Sequence, residues 1–531
     1  MSGHFRRLVL VLAALFVALA APAFASAQDL RIAMKAAVDS ADPHQLFTPN
    51  RNVQQHVFEP LIFQDEHLKP LPGLAESWRL IDPTTWEFKL RQNVKFHDGT
   101  PFTARDVEFS IKRAQAITGV RTYRHYLKDI VGFDIVDDHT LRIRTSQPSA
   151  LLISNLSTLG MVSAKLVEGA PAEGFNTGAL SIGTGPYRWV RFVPNQEIVL
   201  ERNENYWGGV EPWAKVTIRF IGNDSARVAA LLSNEVDVID AVPGSLFARV
   251  KDSASARLVA DTSIFMLYMT LDRFRDVSPF VRAADGKPLA KNPLKDTRVL
   301  EAMSRGVNRQ ALADRVMDGG AEPAGQFAPP GFAGHDPSLK PLPYEPQKAK
   351  QILADAGWPR GFELTLHCLN DRFSGDIQTC QAIGSMLTAI GVRSKVEGLP
   401  SATFFRRANS GGPNGEPEFS AAMSIFGSSS GDPIQSLVTL VETVDAAKGH
   451  GGNNRGRYSN PEVDRLTELS QQTLDDAARE KLVWEATRIA MAENGVFPIY
   501  FLKSSWGVSR KLTLLPRGDQ YTLATRIRPA Q

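Results

Sequence analysis

The sequence predicts an α/β protein with mixed sheets flanked by helices, and three observations carry that prediction. From Phe362 to Cys368, apolar residues alternate with Glu363, Thr365 and His367, as on a strand. Ile377, Cys380, Ile383, Leu387 and Ile390 then fall at helical spacing, and Val392 to Val396 reads as a second strand. Strand, helix, strand is a βαβ unit, whose two strands must be parallel. The second observation is another alternation, where Trp86, Phe88 and Leu90 are interleaved with Glu87, Lys89 and Arg91 ahead of an amphipathic helix. The third is size and balance: 531 residues, 43% apolar and 22% charged, is an ordinary globular composition. At roughly 100–200 residues per domain it predicts two to four domains.

The stretch from Trp86 to Ser110 shows its elements most plainly. Val94 and Phe96 continue the apolar pattern of the strand. His97-Asp98-Gly99 is turn chemistry, because glycine permits positive φ and Asp bonds its own backbone; His97 is read as structural. Thr103 stands three residues before Asp106, the spacing of a capped helix start. Val107, Ile111 and Ala114 give that helix its apolar stripe.

Met1 to Ala27 reads as a secretory signal peptide, with Arg6 and Arg7 in the charged region, Leu8 to Ala20 apolar, and Ala25-Ser26-Ala27 before the cut. The alternative, a membrane anchor, fits less well because the small residues follow so closely. No cysteine lies near the cut, so lipid attachment there is excluded, and a soluble periplasmic protein is expected. No later stretch reaches the ~18 consecutive apolar residues that a spanning helix needs. Lys and Arg total 60 against 57 Asp and Glu, and two of the arginines belong to the signal peptide. The near-neutral remainder gives no reason to expect nucleic acid.

Leu30 to Met34 reads as a first strand, followed by a loop from Ala37 to Asn52. Asp134 to Ile143 reads as a hairpin turning at Asp137-Asp138. Gly183 and Gly185 lack the third glycine of a phosphate-binding loop, Arg188 standing where it is needed, and are read as a close crossing of backbones. A helix starts at Asp224, and Val236 to Ile239 is a buried strand. Phe265 to Leu271 is another apolar strand. Pro346 to Ala356 is a helix stopped by Gly357 and Pro359. Ala408 to Pro417 reads as a surface excursion. Lys448 to Arg457, KGHGGNNRGR, reads as a flexible cationic loop, either simply solvated or a lid over a cleft. Asn460-Pro461 opens a helix, and Val496 to Phe501 returns as a strand. Cys368 and Cys380 could pair in an oxidising compartment, but one lies on a strand and the other on the next helix, and the reading favours two buried thiols.

The string Arg91-x-x-Val-Lys-Phe-His-Asp-Gly-x-Pro-Phe-Thr-Ala-x-Asp-Val107 resembles the signature of the family 5 solute-binding proteins, receptors of ABC importers for peptides, nickel and related solutes. Val57 to Leu61, Pro70 to Trp78, Gly183 to Tyr187, Ser233 to Asp237 (with Asn234 in place of a glycine) and Asp296 to Asn308 resemble further landmarks of that family, in its order. The resemblance implies a large Venus-flytrap fold of two lobes, with the chain crossing between lobes near 270–295 and near 500. It implies lobe 1 from 28–62, 183–272 and 502–531, an extra domain from 63–182, and lobe 2 from 273–501. The implied function is capture of a peptide or peptide-like solute and its delivery, by lobe closure, to inner-membrane ABC permease subunits. The protein is expected to act as a monomer, with no cofactor, no metal and no catalysis.

Ser429, in Gly427-Ser-Ser-Ser-Gly431, matches the nucleophile motif of serine hydrolases between a strand and a helix. That alternative fails on chain order, because the one histidine downstream is His450, in a Gly-rich loop. In peptide-binding relatives a W-x-x-D-x-x-[DE]-P loop carries an Asp for the peptide ammonium. Matched on Asp432-Pro433, that Asp falls on Ser429 and the Trp on Phe426. A hydroxyl compensates a buried ammonium poorly, so Ser428, Ser429 and Ser430 suit a neutral polar or anionic group, while Asp432, also in the candidate ligand set, either swings in to replace the missing acid or serves the turn and helix start. Arg372 follows a strand end where relatives carry a ligand-facing Arg; an ion pair with Asp371 or Asp376 is the alternative. Tyr187 and Phe47 complete the candidate ligand set. His44, His56 and His67 are spaced too widely to share a metal on one helix face.

Overall fold

A computed structural model describes residues 28–119, 122–428 and 430–530; the signal peptide and Ser429 lie outside the described residues. One 12-stranded mixed sheet runs through the molecule. Its spine is the antiparallel pair Ala256–Leu271 and Phe497–Ser509. The pair slips register between Thr262 and Met266, opposite Phe501 to Lys503, and divides the sheet into two halves. The slip lies a few residues before the crossing expected at 270–295.

In the first half, Gln28–Met34 is parallel to both of its neighbours, Val238–Ile239 and Trp213–Phe220. Glu197–Arg202 and Tyr187–Val193 extend that edge as an antiparallel hairpin. In the second half, Ala421–Phe426 pairs with residues 266–271, and Phe362–Leu369 lies parallel to Val392–Leu399. The intervening helix Asp376–Ala389 completes the βαβ unit, as its spacing predicts. The helix lies on the sheet face toward which Cys368 points, and Cys368 and Cys380 are joined in a disulfide. The expectation of two free thiols is therefore corrected: strand-then-helix placement, taken as keeping the residues apart, is what brings them together.

A separate four-stranded antiparallel sheet is built from Ala75–Asp82, Thr85–Leu90, Thr140–Thr145 and Ile130–Asp137. Phe88, Leu141 and Ile143 bury against Val107, Ile111 and Ala114 of the helix Ala104–Ala116, the stripe expected from sequence. Burial of each of these side chains larger than alanine stabilises by roughly 1.5–3 kcal/mol. Asp106 holds the helix start, its carboxylate accepting from the Thr103 N–H at 2.8 Å and from the Ala164 N–H at 2.8 Å.

The crossing at Gly183 and Gly185 is as tight as the glycines suggest. A Cβ at Gly183 would overlap the Val57 carbonyl, and one at Gly185 would lie 2.6 Å from the His56 oxygen. His97 closes the same junction, accepting from the Gly183 N–H at 3.3 Å and donating to the Gly185 carbonyl at 2.9 Å. Beside it Glu59 accepts from Thr184, Tyr206 and Trp207 at 2.7, 2.6 and 2.9 Å.

The segment 448–457 is not a solvated loop. Asn454 and Arg455 are buried; Asn454 donates to the Glu442 and Tyr458 carbonyls, and Arg455 to Tyr268 and Asn409. Gly451 and Gly456 lie too close to neighbouring backbone to admit a Cβ, and Arg455 is spent on internal hydrogen bonds, which composition alone does not distinguish from exposure.

Candidate ligand-binding site

A cavity of about 250 Å³, partly open to solvent, lies between the two halves of the central sheet. Its walls are the carboxyl ends of parallel strands. Lys35 follows Gln28–Met34, Asp240 follows Val238–Ile239, and Arg372 follows Phe362–Leu369. Gln28–Met34 lies between two parallel strands, Trp213–Phe220 and Val238–Ile239, and it is outside the carboxyl ends of such strands that open α/β sheets bind ligands. Lys503 and Trp506, on the spine strand just past the register slip, form the floor, and Tyr521 closes one side.

The charges at this cavity are unevenly committed. Lys35 Nζ bonds Asp224 at 3.3 Å, and Asp240 accepts from the Lys35 N–H at 2.7 Å. Burial pushes the Asp240 carboxyl above its ordinary range, against the opposing pull of Arg227. Asp519 is held by the Arg517 guanidinium at 2.6 and 3.0 Å. Among the described residues, the Arg372 guanidinium and the Lys503 ammonium make no ion pair or side-chain hydrogen bond. Asp376 accepts the Arg372 backbone N–H at 2.9 Å, and Asp371 accepts from Ser401 at 2.9 Å, so neither carboxylate takes the guanidinium. The uncommitted charge facing this space is cationic.

The other candidate residues are distributed differently. Phe47 precedes the helix Thr48–Gln54, whose first residues Thr48 and Pro49 line the cavity. Tyr187 is fully buried in the lobe core, packed edge-on to His56 at 6.0 Å, and does not line the cavity. Ser428, Ser430 and Asp432 lie at a seam with the first 155 residues of the chain. Gln64 Nε2 donates to the Ser430 carbonyl at 2.8 Å, Ser154 Oγ to Asp432 at 3.4 Å, and Gln435 Nε2 to Asn155 Oδ1 at 3.2 Å. Asp432 also accepts from the Ile434 N–H at 3.0 Å, the helix-start role expected of it. Burial pushes its carboxyl above the ordinary range, with Arg479 opposing.

Sequence reasoning missed Arg51. It sits on the helix Thr48–Gln54, 3% exposed, with Nε and Nη1 unbonded and its guanidinium 5.5 Å from the Tyr521 ring that walls the cavity. An arginine in a polar loop gives no signal of burial; only the helix packing beneath Tyr521 creates it.

Two sheet halves joined by a slipped two-strand spine, with a cavity at the strand ends between them, define a two-lobed solute receptor. Residues 69–448 match the bacterial extracellular solute-binding proteins, family 5, and the chain belongs to that family. The chain is 27% identical over 512 residues to the glutathione-binding protein GsiB of Salmonella typhimurium, covering 94% of this chain and 95% of that one. Its fold matches HbpA2 from Haemophilus parasuis with a TM-score of 0.80 at 23% identity, over 95% of this chain and all of the other. DppA from Helicobacter pylori, in complex with the peptide STSA, matches with a TM-score of 0.73 at 22% identity, over 95% and 98%. The protein is thus a substrate-binding component of an ABC importer, of a family that is periplasmic, non-enzymatic and works with permease subunits. The hydrolase alternative at Ser429 finds no support. No helix among the described residues is long and apolar enough to cross a membrane.

Proposed function

We propose that the solute is a small, anionic, peptide-like molecule whose carboxylate is held by Arg372 and Lys503, with Arg51 contributing from beneath Tyr521. The observation that carries this reading is the pair of uncommitted cations facing the cavity while Asp240 and Asp519 are already engaged. A planar guanidinium meets a carboxylate with two parallel hydrogen bonds, which an ammonium alone cannot do. Glutathione, an anionic tripeptide and the solute in the name of GsiB, is the first molecule to test. Ser429 in place of a carboxylate argues that plain dipeptides, with their unpaired ammonium, bind weakly.

The protein is exported through cleavage after Ala27, works as a monomer, and does no chemistry on its solute. Lobe 1 comprises 28–62, 183–272 and 502–531, the extra domain 63–182, and lobe 2 273–501, with the register slip at 263–265 and its partner near 502 as the hinge. Ser428, Ser430 and Asp432 act at closure, meeting Gln64 and Ser154 across the seam; Phe47 and Tyr187 support the wall from behind. Titration calorimetry of ligand-free protein with glutathione tests the reading. Arg372→Ala should weaken binding about 10- to 100-fold, the roughly 1.5–3 kcal/mol of a hydrogen bond to a charged group. Unchanged affinity in Arg372→Ala, or binding of plain dipeptides in preference to every anionic solute, would overturn it.

A further inference from the structure

A second site lies in lobe 2, away from the cavity. Glu442, at the end of the helix Ile434–Leu440, meets His450 from the following loop and Glu468 from the helix Pro461–Gln472. One donor atom from each lies within 4.8 Å of the other two. We propose that these three side chains form a binding site for a divalent transition-metal ion of the zinc class.

Glu442 is 1% exposed, and neither of its carboxylate oxygens has a hydrogen-bond partner. A buried carboxylate left so is costly unless a proton or a cation joins it. The surroundings supply no competing cation to it directly. Lys448 Nζ is taken by Glu468 at 2.6 Å, and Lys128 Nζ by the Lys448 carbonyl at 2.8 Å. Asp464 is occupied by Thr443, and Asp445 by the N–H groups of its own turn.

The spacing suits a metal. His450 Nδ1 lies 3.2 Å from Glu442 Oε2. Bonds of about 2.1 Å in a tetrahedron put neighbouring donors about 3.4 Å apart, so these two already stand at the required separation. One imidazole and two carboxylates with a fourth position open to water is a borderline N/O set, suited to Zn²⁺ and its neighbours rather than to a soft ion. The residues are 8 and 18 positions apart, which is why no short spacing motif betrays them and why the sequence reading expects no metal.

The test uses the mature protein stripped with chelator. Zn²⁺ is titrated calorimetrically, and Co²⁺ is followed by its visible d–d absorption. The expected result is one equivalent bound, lost about 100-fold or more in His450→Ala and in Glu442→Gln, since each removes a ligand. Lys448→Ala, which frees Glu468, should retain or tighten binding. Should His450→Ala fail to fold by circular dichroism, Glu468→Gln, on a half-exposed helix face, replaces it. Absence of a stoichiometric Co²⁺ spectrum in the wild type, or binding unchanged in the folded ligand variants, overturns the proposal.

Discussion

Breaking the Cys368–Cys380 bond should destabilise lobe 2 by about 3 kcal/mol. The bond joins residues 12 apart, and the loop-closure entropy it removes from the unfolded chain amounts to about 3 kcal/mol for a ring of that size. Both sulfurs are fully buried in the core around the strand Phe362–Leu369, so Cys368→Ala with Cys380→Ala adds a small cavity cost of about 1 kcal/mol. Reduction of the wild type isolates the first effect, and the double variant adds the second. Urea unfolding, followed by circular dichroism and by tryptophan fluorescence, to which Trp358 on that core contributes, should place the reduced protein at a lower midpoint than the oxidised one and the double variant slightly lower still. The closed ring also contains Arg372, so reduction should loosen that loop and weaken solute binding. Coincident oxidised and reduced curves, or two titratable thiols in the native protein, would refute the reasoning.

Gly183→Ala should lower the melting temperature, because the new Cβ meets the Val57 backbone carbonyl, which cannot swing away; the cost is about 1–3 kcal/mol, and an unchanged melting curve would contradict it. His97 gives a pH signature. Burial, with Arg188 adding to it and the Gly185 carbonyl opposing, lowers its pKa to about 4 from 6.5. The unfolded chain therefore takes up the proton first, so the stability is intact above pH 6.5 and is lost as pH falls towards 4, by up to about 3 kcal/mol. The stability advantage of wild type over His97→Gln should shrink across that window, and a constant difference from pH 7 to 4 would show that the imidazole is not held neutral.

Much of the fold is legible because it rests on local periodicity. The alternation at 86–90, the stripe at 107–114 and the βαβ pattern at 362–396 each encode which face is buried, and the structure buries those faces. Gly183 and Gly185 mark a close approach for the same local reason. What stayed hidden depends on contacts across distant segments. Cys368 meets Cys380 only because the helix packs on one sheet face and not the other. The KGHGGNNRGR segment looks like a solvated loop until Tyr268 and Asn409 are found to accept from Arg455. Of the candidate site, Arg372 was legible from its place at a strand end, whereas Arg51 acquires its environment from Tyr521, 470 positions along the chain.

Native mass spectrometry of the protein taken from its own periplasm, without unfolding, reads the bound solute itself. The expected spectrum shows a single non-covalent adduct of a small acidic solute, released on denaturation and depleted in Arg372→Ala. Protein of bare mass that also gives no thermal shift with glutathione or with a panel of anionic, neutral and peptide solutes would contradict it.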